Sequence, residues 1–153
     1  MQRTRTRPTI LIVEDYPDSR QMLKLLLEEL DYYVLTAASG KEALAVAADN
    51  HIDLILIDYG LPDMTGPIVV RALRGLRPQL AQVPIVMLTA FDGVHYRRLA
   101  NEAGCDAYLV KPPDFEDLQS TLEHVQHVEN GREFQNPSVG NTNVKVEPLP
   151  TSL

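Results

Sequence analysis

Apolar residues fall along this chain in two alternating kinds of run. Short, β-rich stretches without polar interruption suit strands that are covered on both faces. Between them lie longer segments whose apolar residues recur three and four positions apart, the helical period. Ile10-Leu11-Ile12-Val13 reads as the first strand. Pro17 suits the first turn of a helix, where a missing N–H costs nothing, and Leu23, Leu26, Leu27 and Leu30 form one stripe after it. Tyr33-Val34-Leu35 predicts a second strand. Ser39 stands three residues before Glu42, a capping box opening a helix with Ala43, Leu44 and Ala47 inward.

The alternation continues. Asp53-Leu54-Ile55-Leu56-Ile57 predicts a third strand ending at Asp58, and Gly66-Pro67 starts a helix carrying Ile68, Val69, Ala72, Leu73 and Leu76. Pro84 to Leu88 is the fourth strand, followed by Thr89. Asp92 is placed to cap a helix bearing Tyr96, Leu99, Ala100 and Ala103, which Gly104 stops. Ala107 to Val110 is the fifth strand, ending at Lys111, and the last helix starts near Asp114 with Leu118, Leu122 and Val125 on one side. Five strand–helix pairs in roughly 120 residues predict an α/β fold with a parallel sheet and helices on both faces. The sheet is read as doubly wound and flavodoxin-like, (βα)5, with strand order 2-1-3-4-5.

This pattern fills residues 9–128. Residues 1–8 form a basic arm with Arg3, Arg5 and Arg7, read as a solvated terminus. Residues 129–153 lose all periodicity and are punctuated by Gly131, Asn136, Pro137, Gly140, Pro148 and Pro150. They read as a flexible tail without an output domain.

Composition narrows the classes. A hydrophobic content of 44% over 153 residues suits one globular domain with a core. The net charge of -7 argues against a dedicated nucleic-acid surface, so no DNA binding is expected. Cys105 is the only cysteine, which rules out an intrachain disulfide and agrees with a reducing compartment. No apolar run approaches the roughly 20 residues of a membrane span, so a cytoplasmic location is expected.

The candidate chemistry is positional. Glu14-Asp15, Asp58, Thr89 and Lys111 each fall just past the end of a predicted strand. In an open parallel sheet, ligands bind outside the carboxyl ends of the strands, where strand order reverses. For the order 2-1-3-4-5 that point lies between the first and third strands, which deliver Glu14, Asp15 and Asp58. Three carboxylates in one crevice repel one another unless a cation intervenes, and an all-oxygen set suits Mg²⁺, or Mn²⁺, better than Zn²⁺. A carboxylate can attack phosphorus to form an aspartyl phosphate. A metal, a lysine and a Thr89 hydroxyl donor would offset the charge on the phosphoryl oxygens. Each residue alone has an ordinary explanation as a cap, a turn or a solvated loop. It is their joint placement that points to phosphoryl chemistry.

These residues resemble the receiver domain of two-component response regulators over Thr9 to Val128. The resemblance rests on Ile-Val-Glu14-Asp15, on Asp58-Tyr-Gly-Leu-Pro62-Asp-Met-Thr-Gly66, on Leu-Thr89-Ala90 and on Tyr108-Leu-Val-Lys111-Pro112. It implies a stand-alone regulator whose Asp58 accepts a phosphoryl group from a phosphohistidine of a sensor histidine kinase or histidine phosphotransfer protein. It implies Mg²⁺ held by Glu14, Asp15, Asp58 and the backbone carbonyl of Gly60, with Lys111 pairing with the phosphoryl group. Thr89 and Tyr108 would act as a switch, Thr89 moving toward the phosphoryl group and Tyr108 swinging inward. A downstream protein would then read the face made by the fourth helix, fifth strand and fifth helix, the chain acting as a monomer or a phosphorylation-linked homodimer. The bond before Pro112 would be cis. Such a domain is no enzyme beyond its own phosphotransfer and slow autodephosphorylation. Gly60 and Thr65 depart from the commoner residues of the family, and Gly60 with Phe91 is expected to set the lifetime of the phosphorylated state.

Three alternatives fit less well. A dehalogenase-type phosphatase needs an aspartate two residues past its nucleophile, where this chain has Gly60. In a flavodoxin-like cofactor carrier, Glu14-Asp15 would repel a phosphate. A receiver-like scaffold that no longer accepts phosphate would not need the full acidic set with Lys111.

Overall fold

Strands that are apolar on both sides need cover on both sides, and the elements between them supply it. The computed structural model describes residues 7–129 and the pair 147–148. In chain order the elements are β1 (Thr9–Val13), α1 (Pro17–Glu29), β2 (Tyr33–Ala37), α2 (Gly40–Asp49), β3 (Leu54–Asp58) and α3 (Gly66–Leu76), followed by a short 3-10 turn over Pro78–Leu80. Then come β4 (Ile85–Thr89), α4 (Val94–Ala103), β5 (Ala107–Val110), α5 (Phe115–Glu129) and a two-residue β6 (Glu147–Pro148). The first five strands are parallel, in the order β2-β1-β3-β4-β5. This is the doubly wound α/β fold that the alternating runs predict.

Side chains alternate across each strand, so the sheet has two cores. Leu11, Val13, Ile55, Ile57, Ile85, Met87 and Tyr108 pack with Ala43, Val69, Leu73 and Ala100 of α2, α3 and α4. Ile10, Ile12, Leu54, Leu56, Val86, Leu88 and Leu109 face the other way, against Leu23 and Leu27 of α1 and Leu118, Leu122 and Val125 of α5. Burying a side chain of this size stabilises by about 1.5–3 kcal/mol, which is what holds helices to both faces.

Helix ends follow local chemistry. Ser39 Oγ accepts from the Glu42 N–H at 3.1 Å, and Glu42 Oε2 accepts from the Ala38 N–H at 3.0 Å. Asp63, from the loop before α3, adds a second cap to α2 by accepting from the Gly40 and Lys41 N–H groups at 2.8 and 2.9 Å. Those bonds favour its ionised form and lower its pKa. Arg74 of α3 donates to the carbonyls of Leu80 and Gly104 at 3.1 and 2.6 Å and pairs with Asp106 at 3.1 Å. It thus ties α3 to the segments flanking β4 and β5.

Several expectations need correction. Ile68 of α3 is 53% exposed, and Val70 is buried in its place. Leu76 is exposed as well, and Leu26 and Leu30 of α1 are half-buried. Gly93, not Asp92, is the N-cap of α4; Asp92 instead pairs with Arg97 at 3.2 Å. The tail read as wholly flexible contributes β6, which pairs antiparallel with β5, Ala107 opposite Pro148 and Tyr108 opposite Glu147. β5 offers a free ladder edge, and an edge that pairs is an edge satisfied. The rest of that tail, and Arg3 and Arg5 of the basic arm, lie outside the described residues.

Candidate functional site

The reversal of strand order between β1 and β3 opens a crevice at the carboxyl end of the sheet. Glu14 and Asp15 follow β1, Asp58 is the last residue of β3, Thr89 is the last residue of β4, and Lys111 follows β5. Parallel register puts these ends level: Asp58 lies beside Leu88, and Thr89 beside Val110. The Lys111 N–H extends that ladder by donating to the Thr89 carbonyl at 2.7 Å.

Side chains from three of these strand ends meet. Lys111 Nζ lies 2.8 Å from Glu14 Oε1 and 3.0 Å from Asp58 Oδ2. One carboxylate oxygen from each of Glu14, Asp15 and Asp58 lies within 4.8 Å of the others. Glu14 is 1% exposed and Asp58 8%, whereas Asp15 stands in solvent. Burial, and next the contact with Asp58, push the Glu14 carboxyl from an ordinary 4.5 up to about 7, against the pull of Lys111. Burial alone would lower the Lys111 pKa, but its bonds to Glu14 and Asp58 outweigh that and hold it above 10.5. Lys111 is therefore a fixed cation.

Glu14 Oε2 is buried and has no hydrogen-bond partner. A buried carboxylate oxygen without a donor is costly, and a hard cation is one way to satisfy it. Together with two neighbouring carboxylates and no nitrogen or sulfur donor, this orphan oxygen fits Mg²⁺ or Mn²⁺.

The loop after Asp58 is shaped by two glycines. The Gly66 N–H donates to the Tyr59 carbonyl at 2.6 Å, and Gly60 bridges Thr65. A Cβ on Gly66 would come within 2.6 Å of the Asp58 carbonyl oxygen, so only glycine lets the start of α3 approach this closely. A Cβ on Gly60 would meet nothing within 4 Å. Phe91, two residues past Thr89, is 50% exposed and stacked on Tyr96 at 4.7 Å between ring centroids, with Tyr59 edge-on to both.

Thr89 and Tyr108 form a connected pair behind the crevice. Thr89 Oγ1 accepts from the Phe91 N–H at 3.0 Å, and the Tyr108 hydroxyl donates to the Phe91 carbonyl. Burial raises the Tyr108 pKa, partly opposed by its contact with Thr89. The Arg97 guanidinium lies 5.6 Å from the Tyr108 ring centroid. Tyr108 is 2% exposed. Pro112 follows a cis peptide bond.

Arg20, which no sequence motif marks, also reaches the site. Its Nη1 donates to the carbonyls of Glu14 and Asp15 at 2.9 and 3.2 Å. The available signal was a cation in the first turns of a helix, where the dipole disfavours one.

The chain is similar to known proteins in sequence and in fold. The family model for the response regulator receiver domain matches residues 10–123. The transcriptional regulatory protein ZraR of Salmonella typhimurium is 38% identical over 114 residues, covering 74% of this chain and 25% of that protein. The probable transcriptional regulator ycf27 of Cyanophora paradoxa is 33% identical over 140 residues, 92% of this chain and 55% of that protein. The chain thus spans a quarter to about half the length of these curated relatives. Among solved structures, the chemotaxis response regulator CheY4 of Vibrio cholerae superposes with a TM-score of 0.75 at 38% identity, covering 78% of this chain and 99% of that one. No helix among the described residues is long and apolar enough to cross a membrane.

Proposed function

Because the chain belongs to the response regulator receiver domain family, we propose that Asp58 is its phosphoacceptor and that a protein partner reads the result. The observation that carries this is the meeting of Lys111 with both Asp58 and Glu14, at 3.0 and 2.8 Å, beside an acidic trio with an orphaned oxygen. A nucleophilic carboxylate needs such a neighbourhood, because a dianionic phosphoryl group and three carboxylates repel one another in a shared crevice unless positive charge offsets them.

The donor is a phosphohistidine on a sensor histidine kinase or a phosphotransfer protein. An Asp58 oxygen forms the new P–O bond as the P–N bond breaks, and the leaving imidazole keeps the electron pair and takes up a proton. Lys111 bonds the incoming phosphoryl oxygens and gives up part of its hold on Asp58. Glu14, Asp15, Asp58 and the Gly60 carbonyl would hold Mg²⁺, or Mn²⁺, which when bound supplies charge neutralisation to the phosphoryl oxygens.

Readout passes through Thr89. A phosphoryl oxygen accepts from the Thr89 hydroxyl and draws it toward Asp58, which loosens the bond that the same hydroxyl oxygen accepts from the Phe91 N–H; Phe91 is also the residue to which Tyr108 is tied. Phosphorylation thereby changes the hold on Tyr108 and on the face of α4, β5 and α5, a local charge event biasing a two-state element. The target is a protein docking on that face in the cytoplasm, or a second copy of the chain. Gly60 and Phe91 flank the path of attacking water and set the rate of autodephosphorylation.

The test is intact mass after incubation with acetyl phosphate and Mg²⁺. The wild type gains one phosphoryl group; Asp58→Asn, and the wild type in excess chelator, do not. Equal gain by Asp58→Asn removes the assignment.

A further inference from the structure

We infer that Arg20 is a positioning residue of the cation site: its guanidinium holds the two carbonyls of the acidic loop and so aims the carboxylates of Glu14 and Asp15 toward Asp58. The inference rests on the reading above, in which those carboxylates take a divalent cation.

Nη1 of Arg20 carries two hydrogens, and the nitrogen reaches two acceptors, Glu14 O at 2.9 Å and Asp15 O at 3.2 Å. These carbonyls belong to consecutive peptide planes, those on either side of the Asp15 Cα. Fixing both planes fixes the backbone at Asp15, and with it the direction of the Cα–Cβ bond that carries its carboxylate.

Helix formation does not account for the position of this cation. Arg20 is the fourth residue of α1, and its N–H donates to the Tyr16 carbonyl at 2.9 Å. A positive charge this near a helix N-terminus opposes the macrodipole. The side chain reaches back past the helix start to the strand end instead, so what it stabilises is the loop.

The two acidic residues depend on it unequally. Glu14 is also held by its N–H, which donates to Ala37 O at 3.0 Å, and by Lys111 at Oε1. Asp15 is exposed and lacks the core packing that immobilises Glu14. Loss of the guanidinium therefore frees Asp15 first and leaves the sheet intact. Partners that orient a metal ligand in this way are worth about 10–100-fold in metal affinity.

The experiment titrates Mn²⁺ into the full chain and follows free Mn²⁺ by electron paramagnetic resonance, for the wild type, Arg20→Met and Arg20→Lys. Metal-free amide spectra of each are recorded alongside. The expected result is about tenfold weaker binding in Arg20→Met, with an intermediate affinity in Arg20→Lys, and amide shifts confined to the loop and the first turns of α1. Arg20→Met binding as tightly as wild type overturns the inference. So does full affinity in Arg20→Lys, since charge alone would then suffice, and so do amide shifts spread across the sheet, which mark a merely structural role. If Arg20→Met does not fold, Arg20→Lys decides by the same criterion. A wild type that binds no Mn²⁺ removes the cation-site reading itself, and this inference with it.

Discussion

Lys111 and Asp58 come from the ends of different strands and meet at 3.0 Å between Nζ and Oδ2. The contact exists because parallel register levels the ends of β3, β4 and β5, and because the Lys111 N–H is tied to the Thr89 carbonyl. Lys111 is the built-in counter-charge of the acidic crevice, and it makes the first prediction. Lys111→Met keeps the stem but leaves Glu14 and Asp58 unneutralised. Breaking a buried pair on one side typically costs about 3–5 kcal/mol, and this lysine is partly open to water, so roughly half of that is expected. Urea unfolding in chelator measures it, and phosphorylation by acetyl phosphate should fall by at least about tenfold.

The two glycines after Asp58 should behave oppositely. A methyl on Gly66 meets the Asp58 backbone oxygen at 2.6 Å, so Gly66→Ala must push the end of β3 or the start of α3. Overpacking of this kind costs about 1–3 kcal/mol and should slow phosphorylation as well. Gly60→Ala enters open space and should leave stability within about 0.5 kcal/mol of wild type. Chemical denaturation of the two variants side by side checks the contrast.

Gly60 should matter in time rather than in stability. On the role proposed for these positions, Gly60→Leu adds a barrier to attacking water and Phe91→Ala removes one, so loss of radiolabelled phosphate should slow in the first and quicken in the second. Unchanged lifetimes in both would sink the role given to these positions.

Much of this fold was legible because fully apolar strand runs leave little choice: Ile10 to Val13 and Leu54 to Ile57 can only be covered on both faces. The site was legible for a related reason, since its residues sit where those runs stop. What was hidden had no periodic signal. Ile68, Val69 and Val70 are consecutive and apolar, so spacing could not say that Ile68 would face water. Asp92 looked like a cap, but Arg97 lay within reach and took its carboxylate. The bonds of Arg20 end on backbone carbonyls, which any sequence supplies. β6 is two residues long and includes a proline, and its pairing follows from the open edge of β5 rather than from its own residues.

Acid should reveal the Asp63 cap. Its carboxylate accepts from the Gly40 and Lys41 N–H groups, and its folded pKa lies below the ordinary 3.8. A lowered folded pKa means that the unfolded chain binds the proton first. The stabilisation is therefore present above 3.8 and is lost as pH falls through the lower folded value. Asp63→Ala should lower the urea midpoint at neutral pH, and the gap to wild type should close in that acid range. A gap independent of pH would mean that the cap does not act through its charge.

The central claim is tested most directly by mapping the phosphorylated residue. Protein labelled with acetyl phosphate and Mg²⁺ is reduced with borohydride, which converts an acyl phosphate to the alcohol, and the peptides are read by mass spectrometry. The expected result is conversion at Asp58 alone, with none when Mg²⁺ is withheld. Conversion at another carboxylate while Asp58 stays unmodified, or no conversion anywhere, would contradict it.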